Sequence, residues 1–506
     1  TGNFLYVTLE HLKRLEGEVL NTLRDLGHGQ LSLEIESVMV TPQQLLGIEV
    51  NPRAAAIAEL VLWIGYLQWH LRTRGDVRPA EPIIRDFHNI ERRDAVLDWD
   101  ATEPLLDPDG RPVTRWDGRT TRPHPVTGEQ VPDETAQMPV YRYVNPRPAV
   151  WPAAEFVVGN PPFIGTKRMR EFLGDEYIDA LQEAWPDIPQ ATDYVTRWWH
   201  KAATLLKQGS IQRFGFITTN SLRQSFNRRA IEPHLNSTRQ PISINFAVAD
   251  HPWVDSEDGA AVRVSMTVCV SGIKEGTLLI VSEELNERIE DNGDLVKSTI
   301  QKVGAINSDL TVGTDVSKAI ELNANYNLCA VGMKTIGSGF ILTKEETEKF
   351  GLGQQRNLSN YIRPYINGRD FASTSRGVFV IDLYSLSENQ VRNEMPQIYQ
   401  YLLTSVKPHR DVNRNKIFRA LWWVIGHPRP VFREFTRGLN RYIVTIETSK
   451  HRFFGFLSID TVPDSTLVTF GFDDGYFLGV LSSQVHVAWT LATGGTLEDR
   501  PRYNKT

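Results

Sequence analysis

The residues best suited to chemistry lie at positions 157 to 163, where the sequence reads Val-Val-Gly-Asn-Pro-Pro-Phe. Two β-branched residues end a predicted strand. The two prolines then fix φ, remove backbone donors and exclude the helical region for the residue before them, which makes the loop stiff. Asn160 offers an amide oxygen, the adjacent backbone carbonyl offers a second acceptor, and Phe163 offers a flat apolar face. This set suits a planar ring with an exocyclic amine; a purely structural turn is the alternative.

The elements that would position this loop follow an α/β pattern. Residues 45–49 predict a strand that ends in Glu49, and Asn51-Pro52 begins a long helix that is apolar almost all round and is therefore predicted to be buried. Residues 214–220, 242–249 and 262–270 predict further strands, and the last two resemble a closing antiparallel edge. We expect a doubly wound sheet of about seven strands, with ligands at the carboxyl ends of the strands. Glu49 is placed like an acid that binds ribose hydroxyls, although a helix-cap role is the alternative.

Between and after these strands the patterns are weaker. Residues 83–87 predict one more strand, and residues 98–151 predict a long surface insertion. Residues 193–207 predict a helix, and residues 275–323 have the composition of a connector. The predicted domains are residues 1–280, a connector at 281–320, and a mixed α+β domain at 321–506, in which residues 479–491 predict a helix.

Composition indicates a globular protein with one basic segment. The chain has 506 residues and a net charge of -6, yet residues 407–452 hold 11 Lys and Arg against 3 Asp and Glu. Aromatic residues alternate with these lysines and arginines, as expected of a segment that binds DNA phosphates and the edges of nucleobases. A solvated basic face is the alternative.

Other features bound the class of protein. Cys269 and Cys329 have no partner at metal-ligand spacing, which favours buried apolar roles in a reducing cytoplasm and no metal site. We expect no membrane association, since no apolar run is long enough for a bilayer span. No signal peptide is visible, although the chain begins without an initiator methionine.

At this point the motifs resemble a known family. Asn160-Pro161-Pro162-Phe163 after an apolar strand resembles the catalytic motif of amino-group DNA methyltransferases that modify adenine. The segment Thr1-Gly2-Asn3-Phe4 resembles the second half of their glycine motif for S-adenosylmethionine. Residues 47–49 resemble their ribose-binding motif, and residues 216–221 the strand that lines their target-base pocket.

The C-terminal half resembles the target-recognition region of the MmeI-like (type IIL) group of bacterial restriction-modification proteins. The matching segments are residues 365–370, 407–410, 441–444 and 502–504. Two features of the family are missing from this sequence. The first half of the glycine motif is absent, which predicts weak cofactor binding by this chain, and no convincing nuclease site is present.

The resemblance implies a Rossmann-like seven-stranded methyltransferase domain, truncated at its N-terminus, followed by a target-recognition domain. It implies a bacterial cytoplasmic enzyme that transfers methyl from S-adenosylmethionine to the N6 amine of a flipped-out adenine in double-stranded DNA. The implied catalytic residues are Asn160, Pro161, Pro162 and Phe163. The implied cofactor-binding residues are Thr1, Gly2, Asn3, Phe4, Glu49 and Asp94. The implied DNA-binding residues are Lys167, Arg168, Arg369, Arg410, Arg419, Arg429, Arg433, Arg437 and Arg441.

Three other functions use similar residues. Transfer to the cytosine N4 amine needs the same geometry, methylation of a protein glutamine also uses an Asn-Pro-Pro-aromatic loop, and a decayed methyltransferase could retain DNA binding alone. The basic C-terminal half argues against glutamine methylation. The DNA sequence that is recognised and the oligomeric state are not predicted.

Overall fold

The computed structural model describes residues 2–27, 39–74, 89–117, 119–123, 130–133, 135–253, 263–282, 298–320, 322–354, 357–413, 415–497 and 500–504. These residues form two compact units, unit 1 (Thr1–Asp315) and unit 2 (Val316–Thr506). The predicted strand at residues 83–87 lies outside the described residues.

Unit 1 opens with two long helices and a short parallel pair of strands. In chain order these are α1 (Asn3–Asp25), β1 (Gly47–Ile48), α2 (Pro52–Arg74) and β2 (Ile90–Glu91). Strands β1 and β2 pair in parallel, and α1 packs on α2 through a small cluster that includes Leu9 and Leu62.

The prediction that α2 is buried is wrong. Only part of its apolar surface is covered, because α1 packs on one side and Leu60 remains 59% exposed. The expectation that no apolar run could span a bilayer also fails by length and composition, since the segment Pro52–Arg72 meets both requirements. A core helix of a soluble protein meets the same requirements, so this one helix is weak evidence for a membrane span.

The predicted surface insertion is an exposed series of short strand pairs. Strand β3 pairs with β10, β4 with β9, β5 with β8 and β6 with β7, all antiparallel. The strands are β3 (Leu97–Asp98), β4 (Ala101–Pro104), β5 (Thr114–Trp116), β6 (Thr121–Pro123), β7 (Gln130–Pro132), β8 (Gln137–Pro139), β9 (Tyr141–Val144) and β10 (Arg147–Pro148).

The main sheet of unit 1 has six strands in the order β11-β12-β14-β13-β15-β16. Strands β11 and β12 are parallel, whereas β14 runs antiparallel to both of its neighbours. The strands are β11 (Phe156–Gly159), β12 (Arg213–Thr219), β13 (Ile242–Pro252), β14 (Arg263–Ser271), β15 (Gly276–Ser282) and β16 (Ser298–Gly304).

This sheet corrects three sequence-based expectations. In unit 1 the described residues form a six-stranded main sheet, the separate β1–β2 pair and the short strand pairs of the insertion, not a single sheet of seven strands. Strands β13 and β14 lie inside the sheet, because β15 and β16 continue it, so the predicted connector begins with sheet. The weak pattern of β16 has a physical cause: it is an edge strand that leaves Ile300 and Val303 exposed among polar residues.

Four helices complete unit 1: α3 (Thr166–Leu173), α4 (Asp175–Ala184), α5 (Thr196–Lys207) and α6 (Ser225–Leu235). The predicted helix at residues 193–207 is confirmed with a later start. Its buried face places Trp199, Ala202 and Leu206 against Phe214 and Phe216 of β12. This packing fixes the strand that leads towards the predicted target-base pocket.

Unit 2 is mixed α/β with two four-stranded sheets, β17-β24-β21-β22 and β18-β20-β19-β23. Its strands are β17 (Cys329–Val331), β18 (Ile341–Leu342), β19 (Ile362–Ile366), β20 (Phe379–Ile381), β21 (Arg441–Ile446), β22 (Phe454–Ser458), β23 (Val462–Pro463), β24 (Leu467–Phe470), β25 (Thr496–Leu497) and β26 (Arg500–Pro501). Its helices are α7 (Lys344–Lys349), α8 (Gly368–Ala372), α9 (Glu388–Glu394), α10 (Pro396–Ser405), α11 (Lys407–Asp411), α12 (Lys416–Ala420), α13 (Pro430–Phe435), α14 (Gly475–Leu481) and α15 (Gln484–Thr493).

The helix predicted at residues 479–491 is in fact two helices, α14 and α15. The chain breaks there because Ser483 caps α15, its hydroxyl accepting a hydrogen bond from the His486 amide at 3.2 Å.

The core of unit 2 also contains a buried ion pair. Both oxygens of Asp382 accept hydrogen bonds from Arg433 Nη2 at 2.8 Å, and the Asp382 side chain is almost fully buried. Removal of one partner leaves a desolvated charge without compensation, which is more costly than the absence of the pair.

We predict that Asp382→Ala lowers the free energy of unfolding by about 3 kcal/mol. The matched control is Asp411→Ala, which removes an exposed carboxylate paired with Lys407 at 2.7 Å and should cost less than about 1 kcal/mol. Urea denaturation of the full chain, followed by circular dichroism, measures both. Equal effects of the two variants would contradict the prediction.

Candidate functional site

Glu49 follows the end of β1, next to the end of β2. The two strands are parallel, and the Glu49 amide donates to the Glu91 carbonyl at 2.9 Å. One carboxylate oxygen of Glu49 accepts from the Asn51 amide at 3.0 Å, and the Asn51 side chain in turn caps α2. Glu49 therefore does stabilise the start of α2, and this contact uses one of its two carboxylate oxygens. No hydrogen bond to the other oxygen occurs within the described part of the chain.

Gly2 lies against α2 just before α1 begins. Its φ of +75° and the Cα of Ala58, 2.8 Å from where a Cβ would stand, leave no room for a side chain. Asn3 and Phe4 form the first turn of α1 and are exposed to solvent. Thr1 lies outside the described residues.

Asp94 follows β2 and holds the start of the insertion. Its Oδ1 accepts from the Val96 amide at 2.6 Å and from the Leu97 amide at 3.1 Å. Its Oδ2 accepts from the Tyr177 hydroxyl at 2.7 Å, and Tyr177 contacts the Tyr194 hydroxyl at 2.6 Å. Burial raises the pKa of both tyrosines above the usual range, so both stay protonated.

The Asn-Pro-Pro-Phe loop leaves β11 with its polar groups available. The Asn160 side chain is exposed and makes no hydrogen bond to any described residue. Pro161 is buried, Pro162 is exposed, and Phe163 is half-buried. The Ile164 amide donates to the Pro162 carbonyl at 3.1 Å, which leaves the Pro161 carbonyl without a described backbone partner.

Tyr194 connects the loop to Asp94. Its amide donates to the Ile164 carbonyl at 3.0 Å, while its hydroxyl contacts Tyr177, the partner of Asp94. The structure therefore brings the predicted cofactor acid and the predicted catalytic loop into one hydrogen-bonded region of unit 1.

The end of β12 lies at the same sheet edge as Asn160. Strands β11 and β12 are parallel, with Gly159 opposite Phe216, so the segments that follow both strands meet there. The hydroxyl of Thr219, the last residue of β12, lies 2.6 Å from the hydroxyl of Ser221 in the segment that follows. The predicted pocket strand is thus adjacent to the predicted catalytic loop.

One residue of this region was missed by sequence reasoning. Asp193 is only 7% exposed, and its carboxylate contacts Thr166 after the loop, Ser221 after β12 and Asn227 in α6. In sequence it precedes an apolar helix, which is typical of a helix cap. Nothing local indicates that its partners are distant in the chain.

The predicted DNA-binding residues of unit 1 are exposed on α3. Lys167 has no partner among the described residues, whereas the Arg168 guanidinium lies 4.6 Å from the centre of the Phe172 ring. The neighbouring Arg170 is held by Asp175 and Asp179, both at 2.9 Å. Lys167 is therefore the freest cation beside the loop in this helix.

The predicted DNA-binding arginines of unit 2 fall into two classes. Arg369 and Arg437 are exposed and have no side-chain partner within the described ranges. Arg441 is exposed, but its Nε donates to the Asp473 carbonyl at 3.0 Å and its guanidinium stacks 3.9 Å from the centre of the Phe456 ring. The others bond to the protein itself: Arg419 to the Asn413 carbonyl, Arg429 to the Gly332 carbonyl and Arg433 to Asp382.

Arg410 serves the core. It is 2% exposed, and its Nη2 donates to the Thr335 carbonyl at 2.9 Å and to the Val424 carbonyl at 3.2 Å. The rings of Phe340 and Phe418 flank the guanidinium, and burial lowers its pKa. Its charge is therefore not presented at a surface that a duplex could reach.

Two similar proteins span nearly the whole chain. DNA methyltransferase A of Bacillus subtilis (strain 168) is 23% identical over 518 residues, which cover 100% of this chain and 50% of that protein. The solved type IIL restriction-modification enzyme MmeI, in complex with DNA, has 20% identity and a TM-score of 0.64, with 99% of this chain and 60% of that chain covered. At this identity the likeness concerns the fold. The chain spans about half the length of the curated relative.

The family comparison is more direct. Residues 1–281 match the MmeI DNA-methyltransferase domain, and residues 316–506 match the MmeI target recognition domain. The expected resemblance is thereby confirmed, and the chain belongs to the MmeI family of restriction-modification proteins.

Proposed function

We propose that this chain forms the methyl-transfer and DNA-recognition parts of a type IIL restriction-modification protein. The reaction transfers a methyl group from S-adenosylmethionine to the N6 amine of an adenine in a specific duplex site, in a bacterial cytoplasm. The observation that carries the proposal is the exposed amide of Asn160, which has no partner among the described residues and lies on a loop whose later residues are fixed by Tyr194 and Asp193.

The loop supplies the groups that an exocyclic amine requires. The Asn160 amide oxygen and the Pro161 carbonyl accept the two amine hydrogens, which directs the nitrogen lone pair towards the methyl donor. Phe163 stacks on the ring, a contact that contributes about 0.5–1.5 kcal/mol beyond simple burial. Because the target amine lies inside the duplex, the base must first be flipped out, at a cost of a few kcal/mol.

The residues at the ends of β1 and β2 fit S-adenosylmethionine. Bound there, the cofactor supplies a sulfonium methyl group that needs no metal for activation. The side-chain position of Gly2 is filled by Ala58 of α2, so Gly2 would contact the methionine part of the cofactor only through its backbone. The Glu49 oxygen that has no described partner would accept from the ribose hydroxyls. Asp94 already accepts three hydrogen bonds, two at Oδ1 and one at Oδ2, so Oδ2 would be the oxygen available to the cofactor adenine.

The exposed lysine and arginine side chains bind the DNA. Lys167 and Arg168 beside the loop, with Arg369, Arg437 and Arg441 of unit 2, are accessible to phosphates and base edges. Arg410 is left out of this set because it is buried. The predicted domains, residues 1–280 and 321–506, would carry out methyl transfer and DNA recognition respectively, with the first extended to Gly304 because β15 and β16 continue its sheet.

Transfer to the cytosine N4 amine remains the alternative with the same loop geometry. Digestion of methylated DNA to nucleosides, followed by mass spectrometry, separates N6-methyladenine from N4-methylcytosine. N4-methylcytosine as the product would overturn the adenine assignment and leave the methyl-transfer assignment intact.

Asn160→Ala should lower kcat by about 10²–10³-fold, because it removes an acceptor that acts on the developing charge. Transfer of labelled methyl to DNA by the full-length protein measures this, and DNA affinity should stay within about twofold. The control is Asn236→Ala at an exposed helix end, which should change neither quantity. Parallel loss of DNA binding in Asn160→Ala would assign the residue a structural role.

Glu49→Gln should weaken S-adenosylmethionine binding about tenfold or more, because hydrogen bonds to a charged acceptor contribute about 1.5–3 kcal/mol. The glutamine oxygen can still accept from the Asn51 amide, so the start of α2 should be preserved. Titration calorimetry with S-adenosylmethionine measures the Kd. An unchanged Kd would restrict Glu49 to its helix-start role.

Arg437→Ala should weaken binding to specific and non-specific duplexes alike and reduce the slope of log K against log salt by about 0.9, the value for one phosphate contact. Fluorescence anisotropy at several salt concentrations measures the slope. The control is Arg14→Ala on α1, an exposed arginine outside the proposed surface, which should leave the slope unchanged. A normal slope for Arg437→Ala would remove this residue from the DNA surface.

A further inference from the structure

We infer that Asp193 is the positioning residue of the methyl-transfer loop, a role that rests on the proposed function of that loop. The carboxylate lies at the junction of three segments that are distant in sequence. Its Oδ1 accepts from the Thr166 amide at 3.0 Å and from the Thr166 hydroxyl at 3.1 Å. Its Oδ2 accepts from the Ser221 hydroxyl at 2.5 Å and from the Asn227 side-chain amide at 2.9 Å.

These four bonds use the whole acceptor capacity of the group. An ionised carboxylate has about four lone-pair sites, and here four donor atoms approach them. The Thr166 hydroxyl shares its one proton between Asp193 and the Ala191 carbonyl, which lies at 3.0 Å. Such saturation is what allows a charged group to remain buried. The arrangement is specific for a carboxylate, because an amide in its place would direct an NH₂ group at donors on one side or the other.

The carboxylate is not used by the helix that it precedes. The Asp193 backbone carbonyl accepts from the Thr196 amide at 3.1 Å and from the Thr196 hydroxyl at 2.7 Å, and this closes the turn before α5. Within the described part of the chain, the Thr166 amide is the only backbone amide that donates a hydrogen bond to the Asp193 side chain. Capping of α5 therefore does not explain the side chain, which instead accepts from the first amide of α3.

What the side chain does hold is the far end of the catalytic loop. The near end of the loop is fixed by β11, whose Gly159 lies opposite Phe216 in the parallel pair with β12. The far end is fixed at Thr166 by Asp193 and at Ile164 by the amide of the next residue, Tyr194. Asn160 and Phe163 thus lie on a short span that is anchored at both ends.

The same carboxylate also sets the loop against the end of β12. Ser221 follows that strand, and the fully buried Asn227 fixes the orientation of Asp193 by accepting from its backbone amide at 2.8 Å. The distance between the amine acceptors and the predicted target-base pocket therefore depends on Asp193. A shift of about 1 Å between such groups can cost about 10²-fold in rate.

Hydrogen exchange of the loop tests this without reference to activity. In Asp193→Asn, the peptide that contains residues 160–170 should exchange about five- to tenfold faster than in the wild type, because a net hydrogen bond of about 1–1.4 kcal/mol is lost and about 1.4 kcal/mol corresponds to tenfold. The matched control is Asp309→Asn. Asp309 is also buried and accepts from the amide and hydroxyl of Thr311 at 3.1 and 2.6 Å, but it contacts no loop residue.

Kinetics of the full-length protein give the second readout. Asp193→Asn should lower kcat by about 10–10²-fold with the Kd for S-adenosylmethionine and the affinity for DNA nearly unchanged. Asp309→Asn should leave kcat within about twofold. Thr166→Val removes the hydroxyl and keeps the backbone donor, so it should lower kcat several-fold, whereas Thr166→Ser should retain activity.

The outcomes are separable. Unaltered exchange of the loop in Asp193→Asn, or equal exchange changes in Asp309→Asn, would overturn the positioning role whatever the activity. If Asp193→Asn does not fold, equal kcat for Thr166→Val and Thr166→Ser would overturn it. Absence of methyl transfer by the wild type, together with faster exchange in Asp193→Asn alone, would overturn the proposed function and retain the structural coupling.

Discussion

A buried carboxylate must find hydrogen-bond donors, and in unit 1 this requirement organises the candidate site. Asp193 satisfies it with donors from three segments, at Thr166, Ser221 and Asn227. None of these contacts is local, so each one fixes a distance between parts of the chain that the backbone alone leaves free. Because the buried charge is stable only with these donors in place, it fixes the positions of the segments that follow β11 and β12.

Unit 2 uses buried charge in another way. Arg410 lies among aromatic rings and backbone carbonyls, and Arg433 pairs with the buried Asp382. These guanidinium groups hold loops and helices of the recognition domain together, so the basic composition of residues 407–452 overstates the charge that is available to a ligand. The accessible charge of this segment belongs to fewer residues, of which Arg437 is the clearest, and Arg369 is an exposed arginine of unit 2 outside the segment.

Local signals in the sequence predicted the parts of the fold that depend on local physics. The Asn-Pro-Pro-Phe loop, the parallel strands beside it and helix α5 follow from proline geometry and apolar periodicity. What failed depends on partners far along the chain: the exposed side of α2, the edge position of β16, the burial of Arg410 and the connections of Asp193. The residue type alone does not show whether an arginine is buried or exposed, because its burial depends on tertiary contacts.

The pattern of satisfied and unsatisfied groups argues for where chemistry occurs. Around the loop, the carboxylates of Asp94 and Asp193 and the amide of Asn227 are hydrogen-bonded within the protein. The Asn160 amide and the Pro161 carbonyl lack partners among the described residues, although the loop that carries them is anchored on both sides. A flexible loop would turn these groups towards any available donor. A rigid one keeps them available, and a fixed pair of acceptors beside an aromatic face is what a planar amine needs.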